Sequence, residues 1–261
     1  MSHLYQLIQQ NVTAWRADGY PCEDYPAIAE ILEYATLPES DIRRFLRQAQ
    51  LRALETYWYL PLVEGTPHTF DLYRRLYAMP GDLLAALGID TPEVKDFALN
   101  HGADALWERI RHDEDFIKAH KLESVHETMM LDYPSYILAL AMGAGKTILI
   151  GAIIATEFAM ALEYHPGDEG PFIQNALVFA PGLTILESLR ELANVDYGRI
   201  LPPRLHGPFE ATYKLIFTRE GERDLPVVRG SRYNLIVTNT EKIRIQKRTY
   251  RHATWTEMYY H

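Results

Sequence analysis

The chain has 261 residues, of which 48% are apolar, so one large or two ordinary domains with a real core can form. A single thiol, Cys22, excludes an internal disulfide framework. The start MSHLYQLIQQNVTAW lacks the basic run and apolar core of a secretory leader, which makes a reducing cytoplasm the expected compartment. The formal net charge of −9 argues against a generic polyanion binder, but the charge is uneven: residues 199–251 hold 12 Lys or Arg against 5 Asp or Glu. That stretch fits a polyanion-facing edge and, equally, a solvated basic face.

Up to about residue 130 the pattern is helical and rich in tyrosine. Pro26–Ala35 is a short apolar-periodic segment with proline at its first position. From Pro38 to Leu60 the spacing of Ile42, Phe45, Leu46, Ala49, Ala53 and Leu54 predicts one long amphipathic helix. Shorter helices are expected over Phe70–Ala78, Gly81–Leu87, Pro92–Leu99 behind Thr91 as N-cap, and Ala103–Arg111. The boundary between this helical part and an α/β part is expected near residue 125–134.

Ser135–Ala141 reads as an apolar strand, followed by the glycine turn Met142-Gly143-Ala144-Gly145-Lys146-Thr147 and a long apolar helix. Strand, glycine turn and helix in that order make a phosphate cradle. Gly143 and Gly145 allow backbone conformations closed to residues with a Cβ, so that successive N–H groups of residues 143–147, Ala144 included, face one anion. Lys146 would reach the β- and γ-phosphates of ATP, and the Thr147 hydroxyl would hold Mg²⁺. The helix adds the positive end of its dipole. Position 140 is Leu where the strict G-x-x-x-x-G-K-[ST] pattern has Gly. A membrane span is the competing reading of residues 135–164, but Lys146 and the glycines leave only Ile148–Leu162, including Glu157, which is too short and too charged to cross a bilayer.

Beyond the turn, strands and helices alternate. Asn175–Ala180 reads as a strand ended by Pro181-Gly182, Leu183–Ala193 as a helix, and Tyr213–Thr218 and Tyr233–Thr238 as two more strands. This alternation implies an α/β fold with a mainly parallel sheet and ligands at the carboxyl ends of its strands.

Four segments resemble the motor domains of superfamily 2 helicases and translocases, in particular the Res subunits of type III restriction enzymes and related DEAD/DEAH-type proteins. AMGAGKT at 141–147 is similar to their motif I, with Met142 in place of the usual Thr. LRQAQLRALE at 46–55 is similar to the adenine-recognising Arg-x-x-Gln segment, which would place Arg47 at the nucleotide and make Gln50 the adenine reader; a solvent-facing Gln on a helix is the alternative. The family often has a few tens of residues between that segment and motif I. Here 96 residues separate Gln50 from Lys146, which a helical insert over 61–130 would explain. LVFAPGLTILESLRE at 177–191 resembles motif Ia, and NLIVTNTEKI at 234–243 resembles a later strand whose end meets nucleic acid. Pro181, Gly182, Thr238, Asn239 and Thr240 would then touch the DNA backbone.

The resemblance implies residues 1–130 as a mostly helical region and 131–261 as a partial RecA-like P-loop ATPase domain, a three-layer sandwich on a mainly parallel sheet. It further implies ATP and Mg²⁺ as cofactors, DNA as partner, and a modification or specificity subunit in the complete system. Hydrolysis needs an acidic pair after a further apolar strand, and no strand of this chain ends in one: Asp113-Glu114-Asp115 precede the turn, and Glu241 has no acidic neighbour. The expectation is an N-terminal part of a motor that binds ATP but lacks its own complete catalytic residues. A small-molecule P-loop kinase and a protein-interaction module with a vestigial loop are the alternatives. The ten histidines show no metal-ligand spacing. Tyr57-Trp58-Tyr59 reads as packing rather than base stacking.

Overall fold

The computed structural model describes residues 3–38, 42–131, 133–167, 169–180, 183–217 and 232–239. The chain opens with helices α1 (Leu4–Ala17), α2 (Ala27–Tyr34) and α3 (Gln48–Leu62). Then come α4 (Thr69–Leu76), α5 (Pro80–Ala86), α6 (Pro92–His101), α7 (Ala103–His112), α8 (Glu114–His120) and α9 (Glu123–Met129). The longest helix, α10 (Lys146–Tyr164), precedes β1 (Asn175–Ala180), α11 (Leu183–Leu189), α12 (Pro203–Thr212), β2 (Lys214–Phe217) and β3 (Asn234–Asn239).

The three strands form one parallel sheet with β3 in the centre, in the order β1-β3-β2. Side chains alternate across it as a pleat requires. Ala176, Val178, Leu215, Phe217, Leu235 and Val237 face the main core, whereas Leu177 and Phe179 of the edge strand are 42% and 44% exposed. The fold is therefore α/β, dominated by helices, with a small parallel sheet.

Two expectations need correction. Residues 134–140 form no strand: the segment pairs with none of the described strands, and Ile137 is 92% exposed. It is held instead at the start of α4, where Thr69 Oγ1 donates to Ser135 O (3.2 Å) and Tyr136 Oη donates to Pro67 O. An apolar run becomes a strand only when ladder partners take its backbone groups, and here none do. Likewise, the helix expected from Pro38 begins only at Gln48. Ahead of it, Leu37 N donates to Ile42 O and Arg44 N to Ala35 O, both at 2.8 Å, around an antiparallel bridge between Thr36 and Arg43. Those bonds engage groups a helix would need, and Ile42 is left exposed.

α10 is longer than the sequence reading allowed, 19 residues, and by length and apolarity it would suffice to cross a bilayer. In the fold it is a core helix. Ala152, Ala155, Phe158, Ala159, Met160 and Ala161 are each at most 1% exposed, packed against α2, α3 and α12. Its apolarity is that of an element surrounded by protein.

Packing groups the helices differently from a division at residue 130. Residues of α1, α2, α3 and Leu72 of α4 share one core with α10 and the sheet. Leu84, Ile89, Val94, Leu106, Ile110 and Phe116, from the α5–α8 region, form a second, smaller core. The seam between them carries a Phe70–Trp107 stack with ring centroids 3.9 Å apart and an Arg74–Asp104 ion pair at 2.6 Å.

Candidate functional site

Gly143 (φ +74°) and Gly145 (φ +79°) both lie in the left-handed region, which L side chains seldom adopt. Between them the chain turns tightly, with Ala144 N donating to Ala141 O at 3.2 Å. Gly145 is also the residue from which α10 starts. The amides of Gly143, Gly145, Lys146, Thr147 and Ile148 find no backbone acceptor among the described residues. Such unpaired donors at a helix start, reinforced by the dipole, are what an anion needs. Lys146 is exposed and lies back across the turn, its Nζ 3.4 Å from Ala141 O. Thr147 follows it in the first helical turn, half-buried.

The first turn of α3 supports this loop from behind. Arg47 Nη1 donates to Gly143 O at 2.9 Å, and Gln50 Nε2 donates to Gly145 O at 2.8 Å. The Gln50 carbonyl oxygen in turn accepts from Arg47 N at 2.7 Å. Gln50 is 1% exposed. The structure thus brings Arg47 and Gln50 to the loop residues Gly143, Ala144, Gly145, Lys146 and Thr147. Both hold loop carbonyls, across a separation of 96 residues in the Arg47–Gly143 bond.

α3 and α10 run parallel, so that both N-terminal ends meet at the loop. Further along, Trp58 Nε1 donates to Thr156 Oγ1 (3.0 Å) and Tyr57 Oη to Glu157 Oε1 (2.6 Å). Glu157 Oε2 also accepts from Ile173 N at 3.0 Å, tying the approach to β1 into the same network. Burial pushes the Glu157 carboxyl above the usual carboxylate range, and the bonds from Tyr57 and Ile173 oppose that rise. Trp58 and Tyr59 are buried, in keeping with a packing role. Sequence reasoning missed Thr156 and Glu157 as helix-to-helix bonds; the available signal was two polar residues inside an otherwise apolar helix.

The other side of α3 borders a cavity of about 480 Å³ lined by Arg16, Tyr20, Glu33, Arg43, Gln48 and Arg52, among others. Two of these lining residues hold the fully buried Glu55, which accepts from Arg16 Nε (2.6 Å), Arg16 Nη2 and Tyr20 Oη (2.7 Å). The Glu55 bond holds the Arg16 guanidinium pKa above its ordinary value. Tyr20 is also raised, first by burial and then by the carboxylate.

Of the residues expected at a polynucleotide, the structure describes Thr238 and Asn239. Thr238 is fully buried within β3, so its side chain is not presented to solvent; Asn239 is the last residue of that strand, paired with Ala180. Thr238 alternates with Val237 and so lies on the sheet face opposite the main core, where it is left no exposed surface. Pro181, Gly182 and Thr240 lie outside the described residues, as do most cations of the 199–251 stretch. Of the described ones, Arg204 is paired with Glu30 (2.5 Å) and Glu163 (2.7 Å), and Arg199 lies over the Phe45 ring and donates to Arg44 O.

Asp113 caps α8 by accepting from Phe116 N at 2.9 Å and pairs with Arg109. These bonds, the Phe116 N–H first, hold its carboxyl below the usual range. Among the described residues no group of three or more His, Cys, Asp or Glu side chains converges as a metal site. Comparison with protein-family models, curated proteins and solved structures finds no match to this chain.

Proposed function

We propose that the loop at residues 143–147 binds the phosphates of ATP with Mg²⁺, as part of a motor ATPase of the helicase and translocase kind that acts on DNA in the cytoplasm. The observation that carries the reading is the set of loop and helix amides without a backbone acceptor among the described residues, gathered by two left-handed glycines at the start of a core helix. Lys146 is exposed, and its Nζ makes a long 3.4 Å contact to Ala141 O from which it can swing onto a phosphate. Thr147, one residue on, is the group that would hold Mg²⁺, a hydroxyl being a suitable hard oxygen ligand. The converging N-terminal ends of α3 and α10 favour negative charge at the same point. DNA, and a modification or specificity subunit, enter this proposal only through the resemblance of the motifs. Turnover would need acidic residues that the loop's described surroundings do not supply.

Calorimetric titration of Mg²⁺-ATP into the protein and into Lys146→Ala tests the reading. One charge-assisted bond to phosphate corresponds to roughly 10- to 100-fold in affinity, so the variant should lose saturable binding while keeping its circular dichroism. Equal binding by both proteins, or none by either, removes the nucleotide assignment.

A further inference from the structure

The second residue of the Arg-x-x-Gln pair has a different task from the one its motif suggests. Both ends of the Gln50 carboxamide are engaged by backbone: its oxygen by Arg47 N and its nitrogen by Gly145 O. The side chain is 1% exposed, and a Cβ at position 145 would overlap its nitrogen. Arg47, from the same turn, holds the carbonyl of the other left-handed glycine. A carbonyl drawn toward α3 sets its peptide plane: across the Gly145 plane lies the Lys146 N–H, which has no backbone acceptor among the described residues, and across the Gly143 plane lies the Ala144 N–H, which closes the turn onto Ala141 O. One pair of residues therefore holds the carbonyls of both glycine peptides.

We infer that Arg47 and Gln50 are positioning residues that preorganise the phosphate loop, and that Gln50 does not read the nucleotide base. The ligand they prepare for is the polyphosphate chain, whatever base it carries. The inference rests on the nucleotide reading above, but its structural half concerns the ligand-free protein and can be measured alone. Binding to a preformed loop avoids the ordering cost a mobile loop would incur, so losing either pin weakens every polyphosphate ligand by the same factor.

The variants are Gln50→Glu, which keeps the size and the acceptor but cannot donate to Gly145 O when ionised, and Arg47→Ala, with Arg47→Lys as the conservative partner. Hydrogen exchange of the Ala144 and Leu149 amides, which are bonded to Ala141 O and Gly145 O, reports the loop without ligand. Exchange should quicken about tenfold in Gln50→Glu and Arg47→Ala and recover in Arg47→Lys, which retains one donor. In calorimetry, inorganic tripolyphosphate, Mg²⁺-ATP and Mg²⁺-GTP should all weaken by a common factor of about ten in the first two variants. The ATP-to-GTP preference should stay constant. Unchanged exchange, or a loss confined to ATP that erases its preference over GTP, overturns the inference in favour of base reading. Quickened exchange in a protein that binds none of the three ligands keeps the positioning role and removes the nucleotide reading instead. Should Gln50→Glu fail to fold, the exposed Arg47 pair carries both measurements.

Discussion

At Gly145 two constraints coincide: a backbone φ of +79° and the Gln50 amide occupying the place of a Cβ. Gly145→Ala is expected to cost roughly 1–3 kcal/mol through the left-handed conformation and the displaced amide together. Removing the amide as well, in Gly145→Ala/Gln50→Ala, relieves only the overlap, so the two changes should be non-additive in urea titrations. Additive losses would mean that the two groups do not touch. A second residue-scale test concerns Glu55. Arg16→Ala leaves that buried carboxylate with Tyr20 alone, and breaking such a pair from one side should lower stability by about 2–4 kcal/mol, somewhat less than for a wholly buried pair because Arg16 is 38% exposed. An unchanged urea midpoint would show that water replaces the guanidinium. At this scale the glycine loop was legible because its chemistry is local: Gly143, Gly145, Lys146 and Thr147 sit within five consecutive positions. The partners of Gln50 were not, since a sequence does not say which carbonyl a carboxamide will find 95 residues away.

The helix pair α3 and α10 converts those local features into a site by fixing where both N-terminal ends lie. Its polar bonds have a pH signature. The Glu157 carboxyl is raised by burial, so between the ordinary carboxylate range and its higher folded value the folded state binds more protons than the unfolded. Stability in that window falls as pH rises, because ionising the buried carboxyl is opposed. Glu157→Gln removes the titration and keeps one oxygen, which can accept from Ile173 N while its NH2 group donates to the Tyr57 hydroxyl oxygen. Its urea midpoint should therefore gain on the wild type as pH goes from 5 to 8, and a constant difference would mean that Glu157 titrates normally. Elements were legible in the sequence where period and punctuation agreed, as for Ala27–Tyr34 behind Pro26 and Pro92–His101 behind Thr91. The reading failed at 135–140 and at 42–47 because a period does not say which partners take the backbone groups: the first pairs with none of the described strands, and the second bonds back to Ala35 and Leu37.

Across the whole molecule, the separation of the two cores predicts how damage spreads. The site draws on the larger core alone, because α3 and α10 both belong to it, while Leu84, Val94 and Ile110 pack in the smaller one. Contact between the cores is carried at the seam by the Phe70–Trp107 stack and the partly exposed Arg74–Asp104 pair, the latter worth little in water. Ile110, 1% exposed, becomes a cavity in Ile110→Ala and should cost the smaller core about 2–4 kcal/mol. Unfolding with so thin a seam need not be all-or-none. Hydrogen exchange should therefore quicken across residues 84–122 while the amides of α3 and α10 keep their protection, and the proposed Mg²⁺-ATP binding should be unchanged. A uniform rise in exchange over both cores would mean that the stack at Phe70 and Trp107 couples them into one cooperative unit. The helices α5 to α8 would then support the loop at a distance instead of being carried beside it.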